Sequence, residues 1–124
     1  MINWDNYPNF SEAEFKCSHT GKCEMDEAFM DALQTLRTIY DKPMTITSGY
    51  RDATHPVEAK KDKPGAHATG KAADIACDGQ AAYDIMQIAF ELGFTGIGVS
   101  QKGNGRFIHL DTIEGAPRPN VWSY

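Results

Sequence analysis

Two separated segments of the chain carry side chains that can bind one metal ion together. The segment HATGKAADI at residues 67–75 supplies His67 and Asp74, and the segment FIHLD at residues 107–111 supplies His109. Neutral imidazole nitrogens and carboxylate oxygens bind Zn²⁺ at about 2 Å. Three protein ligands leave a fourth coordination position open, and this distinguishes catalytic zinc sites from closed structural ones. The residue types therefore predict a catalytic site with one zinc ion.

Each of these residues also has a simpler explanation when it is taken alone. A single histidine in a strand is more often a hydrogen-bonded core residue than a metal ligand, and an aspartate after a run of small residues is often a cap or part of a turn. In an extended strand, residues two apart share a face, so Phe107, His109 and Asp111 point to one side while Arg106 points to the other. Asp111 is therefore predicted on the same side as the metal.

Three helices that can support these segments are indicated by capping residues and apolar spacing. A short helix begins at the capping box of Ser11. A longer helix runs from its cap Asp26 to about Tyr40, because apolar residues recur at helical spacing between them. Another runs from Gln80 to Leu92, and the glycine that follows suits the left-handed position at a helix end.

Four strands are predicted at residues 44–48, 72–76, 96–100 and 106–111, and the last two form a hairpin around an Asn-Gly pair. Residues 52–66 contain two prolines, a glycine and three lysines without an apolar period, which predicts a long loop of the kind that is often functional. The fold class predicted from this order is α+β, with a small, mainly antiparallel sheet packed with two main helices.

Composition limits the classes of protein to which the chain can belong. Its 124 residues predict one domain over 1–124. The formal net charge of −5, without a basic stripe, argues against a nucleic-acid partner. No apolar stretch is long enough to span a membrane, and the start of the chain does not resemble a secretory signal, so we expect synthesis in the cytosol. We also expect a monomer.

The three cysteines are expected to be reduced, because a chain without an export signal seldom carries a disulfide framework. Cys17, His19 and Cys23 are potential metal ligands within one short segment, but their spacing fits no standard zinc finger. A local disulfide between Cys17 and Cys23 after release to an oxidising space is the alternative.

The joint pattern of motifs resembles the zinc D-Ala-D-Ala carboxypeptidase family. It comprises SGYR at 48–51, HATGKAAD at 67–74 and a later strand histidine followed by aspartate. Further similar segments are FKC at 15–17, GKCEM at 21–25, GFTGIG at 93–98 and WSY at 122–124. The family includes bacterial cell-wall peptidases and phage endolysins and shares its fold with the hedgehog signalling domain. The chain looks most similar to the short, phage-associated branch.

The resemblance implies a role for each matching residue. His67, Asp74 and His109 bind zinc, and Arg51 holds a carboxylate of the peptide substrate. A guanidinium group suits that task because its planar fork binds a carboxylate through two parallel hydrogen bonds. The alternative for Arg51 is a surface ion pair with a neighbouring acid.

Three further residues are candidates for substrate contact. His55 lies in the long loop near Arg51, although a solvated loop histidine is the simpler explanation. Trp122 and Tyr124 can form walls of the cleft, although aromatic residues near a C-terminus more often fix the tail to the core.

The general base is the one expected part that this sequence lacks. Many relatives place an acid three residues before the last histidine, and Arg106 occupies that position here. Asp111 is our candidate because it shares the zinc-facing side of the strand, and its alternative role is to orient His109 by a hydrogen bond. Glu58 and Asp62 on the long loop are further candidates.

The function implied by the resemblance is a zinc metallopeptidase that hydrolyses amide bonds in bacterial peptidoglycan stem peptides. Either a D-Ala-D-Ala carboxypeptidase or an L-Ala-D-Glu endopeptidase is compatible with the same zinc site. A phage or prophage lysin would wait in the host cytoplasm and act on the cell wall after release, and a virion-associated peptidase is a variant of this hypothesis. The alternative is a module that keeps zinc but only binds a peptide or the cell wall.

Overall fold

A computed structural model describes residues 2–63 and 65–124 of the chain as a five-stranded sheet with two long helices on one face. The helices are α1 (Glu12–Phe15), α2 (Glu27–Tyr40), α3 (Pro56–Ala59) and α4 (Gly79–Leu92). The strands are β1 (Thr45–Ser48), β2 (Ala72–Ala76), β3 (Gly96–Ser100), β4 (Phe107–Asp111) and β5 (Asn120–Ser123). Two short 3-10 turns lie at Trp4–Asn6 and Ala66–Thr69.

The sheet is mostly antiparallel. Its strand order is β1-β2-β4-β3-β5, and the first three neighbouring pairs run antiparallel. The last pair, β3 with β5, is parallel. This arrangement confirms the predicted α+β class and the four strands that the sequence indicates.

Alternation along the strands separates an apolar face from a polar one. Ile75, Ile108 and Leu110 are fully buried and belong to the core, which also contains residues of α2 and α4. Side chains of successive strand residues point to opposite faces, so Asp74 and His109 project from the other side of the sheet. The helices therefore cover one face, and the chemistry-bearing side chains lie on the other.

The predicted helix ends agree with the structure because local capping determines them. Ser11 and Glu14 form the capping box of α1, and the Ser11 amide donates to Glu14 Oε1 at 2.9 Å. Asp26 caps α2 by accepting a hydrogen bond from the Phe29 amide at 2.9 Å. Helix α4 ends at Gly93, whose φ of 82° lies in the left-handed region that glycine tolerates best.

The predicted loop at 52–66 is partly wrong, because it contains helix α3 and the first residue of the Ala66–Thr69 turn. His55 caps α3 by accepting a hydrogen bond from the Val57 amide at its Nδ1, and Pro56 occupies the first helical position. A helix of four residues is too short for an apolar period to reveal it. Pro64, which belongs to the same predicted loop, lies outside the described residues.

Strand β5 is absent from the sequence-based prediction. It places Trp122 opposite Gly98 of β3, where a Cβ on the glycine would lie 2.6 Å from the indole Nε1. The pairing joins segments far apart in the chain, and a strand of four residues is too short for a local sequence pattern to indicate it.

None of the helices in the described part of the chain is long and apolar enough to cross a lipid bilayer.

Candidate metal centre

Three buried side chains on the polar face form one group of potential metal ligands. One ligand atom from each of His67, Asp74 and His109 lies within 4.8 Å of the others. The Oδ1 atom of Asp74 lies 3.2 Å from His67 Nε2 and 3.1 Å from His109 Nδ1. Asp74 on β2 and His109 on β4 are paired directly across the antiparallel ladder. The sheet register therefore brings together two of the three residues that the sequence predicts as ligands.

The third potential ligand, His67, is placed by the 3-10 turn Ala66–Thr69. Its Nδ1 lies 2.8 Å from the Gly49 carbonyl oxygen, which can only accept a hydrogen bond. This contact assigns the ring proton to Nδ1 and leaves the Nε2 lone pair facing Asp74. Gly70 ends the turn with a φ of 77°, and a Cβ there would overlap the Glu24 carbonyl. The Gly49 carbonyl thus orients the imidazole ring, and the close packing at Gly70 fixes the turn that carries it.

His109 is oriented from its other side by Asp111. The Nε2 atom of His109 lies 2.7 Å from Asp111 Oδ2, and both side chains are buried. Arg118 donates two further hydrogen bonds to the same carboxylate, from Nε to Oδ1 at 3.0 Å and from Nη2 to Oδ2 at 2.8 Å. Asp111 lies on the same face as His109, where the alternation predicts it. Its contact with Nε2 leaves Nδ1 of His109 directed at Asp74.

Both carboxylates at the centre are held in their anionic form. Burial raises the pKa of Asp74, but the neighbouring imidazole groups of His109 and His67 outweigh it and hold that pKa well below its usual range. Burial likewise opposes ionisation of Asp111, while hydrogen bonds from His109 and Arg118 lower its pKa to about 2. A buried anion needs a compensating cation. Arg118 provides one for Asp111, and a metal ion between the three ligand atoms would provide one for Asp74.

The donor set fits zinc. Two imidazole nitrogens and one carboxylate oxygen make a three-ligand site of the catalytic kind. Each imidazole also has a hydrogen-bond partner on its second nitrogen, an arrangement typical of histidines that bind metals. These observations support His67, Asp74 and His109 as the residues that would hold the ion.

The cysteine segment forms no comparable centre. Within residues 2–63 and 65–124, the group around Asp74 is the one set of three or more close potential ligands. Cys17 is buried, and its Sγ accepts a hydrogen bond from the Asp52 amide at 3.3 Å. Cys23 is half-buried and unbonded to Cys17. All three cysteines are unpaired in the structure, and their redox state after release stays a prediction.

A cleft of about 260 Å³ opens beside the potential ligands. Aromatic and cationic side chains line it together with the ligands, and these are Arg51, Lys61, Phe107, Trp122 and Tyr124. The Trp122 ring lies 5.2 Å from the His109 ring, and the Tyr124 ring lies 5.1 Å from the Phe107 ring, measured between centroids. The two C-terminal aromatic residues thus form a wall of the cleft and also attach the tail to the sheet.

Arg51 reaches the cleft between two carboxylates. Its Nη2 lies 3.9 Å from Asp74 Oδ2, and its Nη1 lies 3.9 Å from Glu58 Oε2. Glu58 is almost fully buried and also accepts hydrogen bonds from Lys61 Nζ at 3.0 Å and from the Gly65 amide at 2.8 Å. With its oxygens used in this way, Glu58 is suited to hold Arg51 in place.

Several residues singled out in the sequence lie away from the cleft. His55 lies in a neighbouring groove that shares Arg51 with the cleft, and its Nε2 is 3.4 Å from Ser18 Oγ. Asp62 is exposed on the surface, and Arg106 is exposed and donates to the Gly103 carbonyl at 3.1 Å. The roles of His55 in substrate contact and of Asp62 in proton transfer stay predictions.

Arg118 is the functional residue that the sequence analysis missed. It follows Asp111 by seven residues, in a proline-containing stretch without periodicity. One feature of the sequence could have indicated such a residue. Asp111 is predicted on the buried polar face, and a buried carboxylate needs a cation nearby. The chain has several arginines, however, and only the fold shows which one supplies it.

A protein-family model described as Peptidase M15 matches residues 8–111, which include the three potential ligands, Arg51 and Asp111. No curated protein matches the chain.

The hydrogen bonds predict which nitrogen of each histidine binds the metal. With ¹⁵N-labelled histidine and ¹¹³Cd²⁺ in place of zinc, we expect cadmium coupling to Nε2 of His67 and to Nδ1 of His109. The other nitrogen of each ring is hydrogen-bonded, Nδ1 of His67 to the Gly49 carbonyl and Nε2 of His109 to Asp111. Long-range ¹H–¹⁵N spectra measure these couplings. Coupling through the opposite nitrogen of either ring would contradict the assigned tautomers.

Proposed function

Because the chain belongs to the Peptidase M15 family, we propose that it is a zinc metallopeptidase that hydrolyses amide bonds of bacterial peptidoglycan stem peptides. Membership confirms the family resemblance of the sequence motifs. The observation that carries the proposal is the buried cluster of His67, Asp74 and His109 beside a cleft with cationic side chains. D-Ala-D-Ala carboxypeptidase and L-Ala-D-Glu endopeptidase activities are both compatible with this arrangement.

The cleft is suited to bind a substrate that carries a carboxylate. When bound, zinc would supply a Lewis acid and lower the pKa of a bound water towards 7. Arg51 would bind the substrate carboxylate, since its guanidinium group is partly exposed to the cleft and held by Glu58. Lys61 adds a second positive charge to the same wall. Trp122 and Tyr124 would bound the peptide on the other side.

Asp111 is better suited to orient His109 than to accept a proton from water. Its carboxylate is fully buried, and both oxygens already accept hydrogen bonds from His109, Arg118 and the Ile113 amide. A general base must lie within hydrogen-bond reach of the proton that it removes. The sequence left two roles open for Asp111, general base or orienting partner of His109. We therefore assign it the orienting role.

One observation favours a second candidate function, a zinc-retaining module that binds a peptide or the cell wall without cleaving it. Among the described residues that line the cleft, Asp74 is the sole carboxylate, and it belongs to the ligand set. Arg106 occupies the position where many relatives carry an acid. The arrangement of Arg51 beside the ligands nevertheless favours catalysis, because it places a carboxylate-binding group next to the proposed ion.

The biological setting proposed here rests on the resemblance to the phage-associated branch. The protein would act as a phage or prophage lysin, present in the host cytoplasm and reaching the peptidoglycan after release. Attachment to a virion is the variant of this setting.

The direct test of the proposal is digestion of purified peptidoglycan fragments. We expect the zinc-containing protein to cleave one defined stem-peptide bond, and we expect chelator to abolish cleavage and added zinc to restore it. Mass spectrometry of the fragments identifies the bond. An unchanged digest, with zinc shown to be bound, would contradict the peptidase and support the binding module.

Arg51 provides a second test. Arg51→Lys keeps the charge but loses the two-pronged hydrogen bond, which predicts a loss in kcat/KM of roughly ten- to hundredfold. Zinc content should not change, because Arg51 is not a ligand. The matched control is Arg106→Lys, a change at an exposed arginine outside the cleft. Equal activity of both variants would show that Arg51 does not bind the substrate carboxylate.

A further inference from the structure

The C-terminal segment, residues 115–124, contains the edge strand β5 and lies next to the candidate metal centre. It lies outside the stretch that matches the family model, which ends at residue 111. Arg118 and Trp122 of this segment contact the centre, the first through Asp111 and the second through the ring of His109. The segment thus supplies contacts to the centre from outside the stretch that the family model matches.

Arg118 is held in a defined position on both sides of its guanidinium group. On one side it donates to both oxygens of Asp111, and its side chain is only 14% exposed. On the other side its Cζ lies 4.7 Å from the centroid of the Trp122 ring. A planar guanidinium group can make a two-pronged hydrogen bond and stack on an aromatic face at the same time, which a lysine cannot do.

Asp111 depends on this partner because it is completely buried. The carboxylate fits under the sheet surface because residue 96 is a glycine, and a Cβ at Gly96 would overlap the Asp111 carboxylate. A buried carboxylate without a cation is strongly disfavoured. Loss of Arg118 would therefore force Asp111 to turn towards solvent or to change its hydrogen bonds. In either case the contact with Nε2 of His109 is disturbed.

We propose that Arg118 is a positioning residue for the metal centre, which fixes Asp111 so that it accepts the Nε2 proton of His109 and leaves Nδ1 free for the ion. The inference rests on the proposed zinc site. Partners of this kind around metal-binding histidines change metal affinity by roughly ten- to hundredfold when they are removed. Arg118 acts one step further out, through Asp111.

Zinc affinity, measured by competition with a chromophoric chelator, tests the proposal. We expect Arg118→Ala to weaken zinc binding roughly tenfold or more, and Arg118→Lys to lie between Arg118→Ala and the original chain, because lysine restores the charge but not the fork. Arg106→Ala is the control, since Arg106 is exposed and lies outside the cleft. Circular dichroism of each metal-free variant shows whether it is folded.

The His109 ring gives a readout that a general loss of stability would not produce. In the zinc-bound original chain and in Arg106→Ala, the Nε2 proton should appear as a downfield signal that exchanges slowly with water. In Arg118→Ala we expect that signal to exchange faster or to vanish. If Arg118→Ala does not fold, the exchange rate of this proton in the original chain still tests the proposal.

The outcomes separate this inference from the proposed function. Failure of the original chain to bind zinc would refute the proposed metal site itself. Zinc binding in which Arg118→Ala is as tight as the original chain, with an unchanged His109 signal, would overturn the role of Arg118 alone. Loss of turnover at unchanged zinc affinity would also overturn it. Absence of a protected Nε2 proton in the original chain would do the same.

Discussion

The pairing register between β2 and β4 is the constraint on which the candidate site depends. It places Asp74 directly opposite His109 and Ala72 opposite Asp111. A slip by one residue would turn one strand's polar side chains to the helix-covered face. Burial of Ile75 on β2 and of Ile108 and Leu110 on β4 against the helices opposes such a slip, because the buried residues of the slipped strand would leave the core. The hydrophobic core therefore also fixes the geometry of the polar face.

Glycines and paired charges allow large and charged side chains to be buried on that face. Gly96 and Gly98 of β3 have no Cβ, and the space is filled by the Asp111 carboxylate and by the Trp122 indole. Buried carboxylates on this side have cationic partners, as Asp111 has in Arg118. Such pairing is what allows charged groups to persist away from water. The third potential ligand, His67, is fixed by backbone contacts of its turn and not by the sheet.

The helices and four of the strands could be predicted from the sequence because they depend on local patterns, and the three potential ligands could be predicted because they lie in motifs that resemble a known family. Alternation in β4 places Asp111 on the same face as His109, and capping residues determine the ends of α2 and α4. The parts that escaped prediction depend on contacts between distant segments. Strand β5 pairs in parallel with β3, and Arg118 meets Asp111 only after that tail has folded back. Helix α3 was missed for a different reason, since a single turn has no period.

The proposed site holds one zinc ion by two imidazoles and one carboxylate and leaves one coordination position open. X-ray absorption at the zinc edge of the protein containing one equivalent of zinc measures this ligand set. We expect nitrogen and oxygen scatterers at about 2 Å, outer-shell scattering from two imidazole rings, and no sulfur at about 2.3 Å. Sulfur at that distance would place the ion at the cysteines. Scattering from fewer than two imidazoles would equally contradict the proposed ligand set.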